Sequence, residues 1–267
     1  MKKYLSIFRI HFINTLQYRA AAAAGLSTQF AWGFMLTLSF GAFYRANPAA
    51  FPMALSDTVA IIWIQQAFLA LFALWFWDDD IADSITDGGV VYDLVRPIGL
   101  YAKWFAASAA KRCARAVLRC MPILIVALIL PPPLRLILPP SLAQFGLFIV
   151  SMILGLGVVV SFQMLLYATL FYTISPMGIR LMAVVLGDFL SGGIIPLPFF
   201  PDSIRGIVEI LPFASMINAP ARIFSGNIAG FAALQTMALQ AAWLLALIIA
   251  GRALSTRALR RVIVQGG

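Results

Sequence analysis

From residue 142 to residue 174 the chain, LAQFGLFIVSMILGLGVVVSFQMLLYATLFYTI, carries no charged side chain. A helix needs about 20 residues to cross the hydrocarbon core of a bilayer. A run this long must therefore tilt or protrude beyond the membrane. The rest of the chain is of the same kind. Of its 267 residues 62% are hydrophobic and only 11% charged, with a mean hydropathy of +0.95. Soluble domains carry about a quarter charged residues. The reading is an all-α polytopic membrane protein, with residues 1–267 forming a single transmembrane domain. Its length leaves room for roughly six transmembrane helices and no sizeable soluble domain.

Six spans are expected, over 25–44, 59–77, 117–130, 142–174, 181–196 and 231–250. The aromatic cluster Trp75-Phe76-Trp77 closes the second at an interface. The third starts late. Lys103, Lys111, Arg112, Arg115 and Arg119 precede it, and each would cost about 2.5–3.5 kcal/mol at mid-depth. Residues 101–119 are therefore expected in the interface or the cytoplasm. Gly155 and Gly157 allow close helix packing in the fourth span. Residues 1–19 form an N-terminal amphipathic interfacial helix: Leu5, Phe8, Phe12 and Leu16 share one stripe, read as facing lipid, with Lys2, Arg9 and Arg19 off it. Residues 199–226 are apolar, too short to cross and broken by Pro201, Pro212 and Pro220. They are expected as an outer re-entrant segment, which lipid tolerates only when protein buries it.

The net charge of +9 is explained by topology rather than by nucleic acid, for which no binding is expected. With six spans and both termini on one side, that side collects all but four of the 19 Lys and Arg residues; the four are Arg45, Arg135, Arg205 and Arg222. This bias places both termini in the cytoplasm. The start, Met-Lys-Lys, looks like a signal peptide, yet Arg9, His11, Asn14 and Gln17 interrupt its apolar stretch, so no cleavage is expected. Cys113 and Cys120 lack the further ligands that a zinc site needs. No lysine follows a glycine, which excludes a Walker A phosphate loop. Metal-ligand spacing and a nucleophile elbow are absent as well. The chain is not expected to be an enzyme or to hold a metal.

Two polar features stand out against this apolar background. Residues 78–97, DDDIADSITDGGVVYDLVRP, hold Asp78, Asp79, Asp80, Asp83, Asp87 and Asp93, six of the ten acidic residues. So polar a segment needs water or a water-soluble partner. Ile81 and Ile85 suit a short amphipathic helix ended by Gly88-Gly89, followed by a turn that stops before Pro97. The second feature lies inside the spans. Asp188 reads either as a proton carrier or as a hydrogen-bonding partner for backbone freed at Ser191-Gly192-Gly193. Gln65 and Gln66 point about 100° apart on a helix and read as interhelical hydrogen bonders or as substrate contacts.

Three stretches carry a resemblance: IADSITDGGVVYDLVRPI from residue 81, LSGGIIPLPFFP from 190 and LPFASMINAPARIFSG from 211. With Leu16-Gln17-Tyr18-Arg19 they span nearly the whole chain. In this order it resembles the permease subunits of type-2 ABC exporters, in particular the daunorubicin/viologen branch; the triplet Asp78-Asp79-Asp80 has no counterpart there. The resemblance implies a permease in the bacterial cytoplasmic (inner) membrane, surrounded by lipid. It would pair with a second homologous permease, as hetero- or homodimer, and with two copies of a cytoplasmic ABC ATP-binding subunit. ATP and Mg would sit on that subunit, with no cofactor in this chain. Residues 78–116 would form the cytoplasmic coupling region, whose coupling helix docks on the ATPase through Ile81, Ile85, Gly88, Leu94, Arg96 and Pro97. Ser191, Gly192, Gly193, Pro196, Phe199, Phe200 and Pro201 would border the outer gate. The implied work is export of an amphipathic or hydrophobic substrate (drug, lipid or peptide) from the cytoplasm or inner leaflet. Other classes are an ion-gradient-driven secondary transporter using Asp188 and a membrane scaffold without transport.

Overall fold

The computed structural model describes residues 2–173 and 176–260. Among the described residues it consists of helices and their connections, without a strand. In chain order the helices are α1 (Lys2–Leu16), α2 (Arg19–Ala46), α3 (Leu55–Ala67), α4 (Leu69–Phe72), α5 (Asp79–Thr86), α6 (Val90–Leu94), α7 (Leu100–Ile129), α8 (Leu142–Leu170), α9 (Pro176–Leu190), α10 (Asp202–Ile210), α11 (Asn218–Ser225) and α12 (Gly230–Leu259). Two of them, α8 and α12, are long and apolar enough to cross a membrane by length and composition.

The centre is α8, started by Ser141, whose hydroxyl accepts from the Gln144 amide at 3.1 Å. It packs along α12, where Ser151 donates to Gln240 Oε1 at 2.9 Å in a buried polar pair. Gly155 explains the close approach of the chain on its other side. A Cβ there would stand 2.6 Å from the Met216 carbonyl oxygen. The core joins α3, α7, α8 and α11 around Trp63, Ile123, Val158 and Ile223, all fully buried. Within 199–226, α10 is largely exposed while α11 is largely buried, against α3 and α8. Gln144 Nε2 satisfies the end of α11 by donating to the Ile223 and Ile228 carbonyls at 2.6 and 2.7 Å.

Two expectations need correction, the single helix over 59–77 and the outward stripe on α1. The run 59–77 is not one helix. It breaks at Phe68, resumes for one turn as α4, and is non-helical from Ala73 to Asp78. Three of the freed carbonyls, those of Leu71, Ala73 and Phe76, find a donor in Arg112 of α7. Residues 101–119, expected in the interface or the cytoplasm, run without a break into the span expected after them. They belong to α7, one helix of 30 residues that passes through Pro122. Its cations are accommodated singly. Lys103 pairs with Asp93, Lys111 with Asp78 and Asp80, and Arg115 and Arg119 lie 5.0 and 5.7 Å from the centre of the Phe76 ring. Finally, the stripe on α1 does not face outward as a unit. α1 lies along α7, which half-buries Phe8 and Phe12, stacked at 5.9 Å, and leaves Leu5 exposed.

Candidate functional site

A cavity of about 440 Å3 opens between α2, α3, α4, the non-helical stretch after α4, α9 and the turn that follows it. Its walls are mostly apolar, with Trp32, Phe72, Trp75 and Met216 among them. The packing that closes it is tight: a Cβ on Gly187 of α9 would collide with the Leu74 side chain. Gly192 adopts φ +74°, a left-handed turn that suits glycine and carries the chain back past the end of α9.

Polar groups enter the cavity at a few points. Gln65 and Gln66 both line it, although they are adjacent on α3. They leave the helix in different directions. Gln65 Nε2 donates to the Gly192 carbonyl at 3.0 Å, while the Gln66 backbone carbonyl accepts from Gln29 Nε2 on α2 at 3.0 Å. The Oε1 atoms of Gln29 and Gln66 are buried and have no hydrogen-bond partner among the described residues. Asp188 also lines the cavity, and its carboxylate makes no hydrogen bond or ion pair among the described residues. Apolar walls with a few convergent polar atoms are the usual make-up of a site for a small amphipathic ligand. A buried polar atom without a partner costs about 1–3 kcal/mol, so these acceptors gain when a ligand donates to them.

The expected gate residues divide into two groups. Ser191 and Gly193 line the cavity, with Gly192 buried beside them. Farther on, Phe199 packs on Phe40 and Phe51 at 5.1 and 5.8 Å, and Phe200 on Phe189 at 5.2 Å. Pro196 is buried and Pro201 exposed. None of these four touches the cavity.

The cavity wall runs directly into the acidic segment. Ala73, Leu74 and Trp75 line the cavity, and α5 begins at Asp79. The backbone between is held by side chains of α7 and α8. Arg112, 1% exposed, donates through Nη1 to the carbonyls of Leu71 and Ala73 at 3.0 and 2.9 Å. Its Nη2 donates to the Phe76 carbonyl at 3.3 Å and to Gln163 Oε1 at 2.9 Å. Gln163 Nε2 donates to the same Phe76 carbonyl at 2.8 Å. The Asp78 amide donates to the Tyr167 hydroxyl at 2.7 Å. Lys111 Nζ then bridges Asp78 Oδ1 and Asp80 Oδ2 at 2.7 and 2.9 Å. That hydrogen bond, together with the lysine charge, holds the Asp80 carboxyl below the usual carboxylate range. His11 lies close by on α1; burial, and after it the Lys111 charge, lowers its pKa.

On α5 the structure corrects an expectation. Ile81 and Ile85 do not face a partner. They are buried within their own chain against Trp77, Val90, Leu100, Trp104 and Tyr167. A helix of eight residues next to a larger apolar surface must turn its only apolar stripe inward. The face left to solvent carries Asp79, Asp80, Asp83 and Asp87 with Gly88, and the turn beyond it exposes Tyr92, Leu94, Val95, Arg96 and Pro97. Sequence reasoning missed Tyr92 and Val95, whose signal was apolar side chains at the tip of the most polar segment. It also missed Gln29, Gln163 and Arg112. Nothing in the sequence separates Arg112 from the neighbouring basic residues.

A helical chain with long apolar helices and a mostly apolar cavity beside a charged segment has the make-up of a membrane transporter. Over residues 54–266 the chain matches the family described as ABC-2 family transporter protein, and it belongs to that family. It is therefore a type-2 ABC permease, of a kind that works with ATP-binding subunits. The match is to the family and does not single out the daunorubicin/viologen branch. No curated protein matches the chain.

Proposed function

We propose that the chain is the permease subunit of an ATP-driven exporter in a bacterial cytoplasmic membrane. Its six spans are α2, the broken α3–α4 unit, α7, α8, α9 and α12, with both termini in the cytoplasm. Two copies of an ATP-binding subunit, carrying ATP and Mg, dock on the exposed face of α5 and the tip at 92–97. A second homologous permease completes the membrane part. An amphipathic or hydrophobic substrate enters the cavity between α2 and α9 and leaves past the turns at 191–201.

One observation carries this reading: the backbone that leads into the docking helix is the same backbone that forms the cavity wall. The chain between Ala73 and Asp78 is non-helical and is tied to α7 and α8 through Arg112, Gln163 and Tyr167, so a shift of α5 acts on Ala73, Leu74 and Trp75 through this one short stretch. Export, rather than uptake, follows the resemblance set out above.

The test is to purify the chain from its native membrane in a gentle detergent and identify by mass spectrometry what accompanies it. An ATP-binding subunit together with a second permease is the expected result. The chain alone, under conditions that keep other complexes intact, would overturn the proposal. Asp188, at the cavity wall and without a partner among the described residues, favours one second reading, a gradient-driven carrier. In that case Asp188→Asn abolishes transport that needs no ATP.

A further inference from the structure

A second hollow, of about 340 Å3, lies between α1, the first turn of α7, the end of α8 and the last turns of α12. Its lining carries several hydrogen-bond donors. Gly99 caps α7 without any side chain to help, and no acidic residue stands in the first turn. The Gly99 amide donates to the Tyr4 hydroxyl at 3.3 Å. The next three amides, of Leu100, Tyr101 and Ala102, have no acceptor within the helix, and these three residues line the hollow. Such unpaired amides, at the positive end of a helix 30 residues long, form a site for negative charge.

Side chains of α12 supply the rest. Arg252 lies 5.6 Å from the centre of the Tyr101 ring and meets no carboxylate among the described residues. Gly251 permits that approach, since a Cβ there would come within 3.0 Å of the ring. Ser255 lines the same hollow, is 9% exposed, and makes no hydrogen bond among the described residues. Thr256 adds another hydroxyl. Among the described residues no carboxylate lines the space, and its remaining wall is apolar, with Trp104, Phe171 and Leu259.

We propose that this hollow binds a phosphate group, held by the first-turn amides of α7, the Arg252 guanidinium and the hydroxyls of Ser255 and Thr256. Guanidinium and backbone amides are the donors that phosphate oxygens take best. The apolar wall, and the position beside α1, give the phosphate a source in an anionic phospholipid headgroup. That choice of source rests on α1 lying in the cytoplasmic interface, as in the function proposed above. Free phosphate shares the chemistry.

The experiment is native mass spectrometry of the purified chain in a non-ionic detergent. The probes are dioleoyl phosphatidylglycerol, dioleoylglycerol (the same tails without phosphate) and inorganic phosphate. Phosphatidylglycerol is expected to bind at least tenfold more tightly than dioleoylglycerol. Arg252→Ala with Thr256→Ala should remove that difference, whereas Arg257→Ala, exposed and outside the hollow, should leave it. All three positions lie on the surface of α12, so the variants fold. Inorganic phosphate that binds alone, while the lipid does not, keeps the phosphate site and assigns it to a free anion. Equal binding of both lipids, or a difference that survives the double variant, would overturn the proposal. The permease reading stands or falls separately, on the accompanying ATP-binding subunit.

Discussion

A guanidinium buried against neutral carbonyl oxygens does what a helix otherwise does for itself. Arg112 holds the carbonyls of Leu71, Ala73 and Phe76, which keeps these three acceptors paired where the chain leaves the helical path after α4. Each buried carbonyl left without a partner costs about 1–3 kcal/mol. Arg112→Gln is therefore expected to lower the thermal unfolding temperature of the detergent-purified protein by several degrees. Arg112→Lys should fall between, because a single ammonium cannot reproduce the planar fork. Unfolding of the Gln variant at the wild-type temperature would refute the bracing role. At this scale the sequence was half legible. Asp188, Gln65 and Gln66 stood out as polar residues in apolar runs, and all three line the cavity. Arg112 did not stand out, because Lys111, Arg115 and Arg119 look the same in sequence. Which of them turns inward depends on where α4 ends, a matter of tertiary packing.

Among elements, the short α5 shows how a clear pattern can be given the wrong direction. The amphipathic spacing of Ile81 and Ile85 was real, and it produced the expected helix. Its apolar stripe, however, seals α5 onto α7 and α8 rather than onto a partner. Burial assigns the two faces different work, and substitution separates them. Ile85→Ala removes a side chain that is 8% exposed and should cost about 2–5 kcal/mol, read as a lower unfolding temperature. Leu94→Ala, on the exposed tip, should leave that temperature unchanged and weaken retention of the ATP-binding subunit about tenfold in the pull-down, as expected for an anchor at an interface. The reverse pattern would mean that the tip does not dock. On α7 the fold gives each basic side chain a partner: a carboxylate, a ring or a set of carbonyls.

For the molecule as a whole, orientation is the property to measure. In a variant with Cys113 and Cys120 replaced by Ala, a single cysteine at Asn47, in the connection after α2, should react with a membrane-impermeant maleimide added to intact cells. A single cysteine at Asp87, on the polar face of α5, should react only after the membrane is opened. Labelling of both from outside would overturn the six-span arrangement. What the sequence by itself determined is the class of structure. A chain with so few charges and such uninterrupted apolar runs has a helical membrane protein as its outcome, because lipid leaves backbone groups no partner but their own helix. The acidic segment and the proline-rich stretch were visible for the same reason, as breaks in that pattern. Tertiary structure alone decided where helices stop short of their apolar runs, which cation is buried, and that Gln29, Gln66 and Asp188 share one cavity. Each of these depends on donors and acceptors brought together from distant parts of the chain, and neither hydropathy nor periodicity records them.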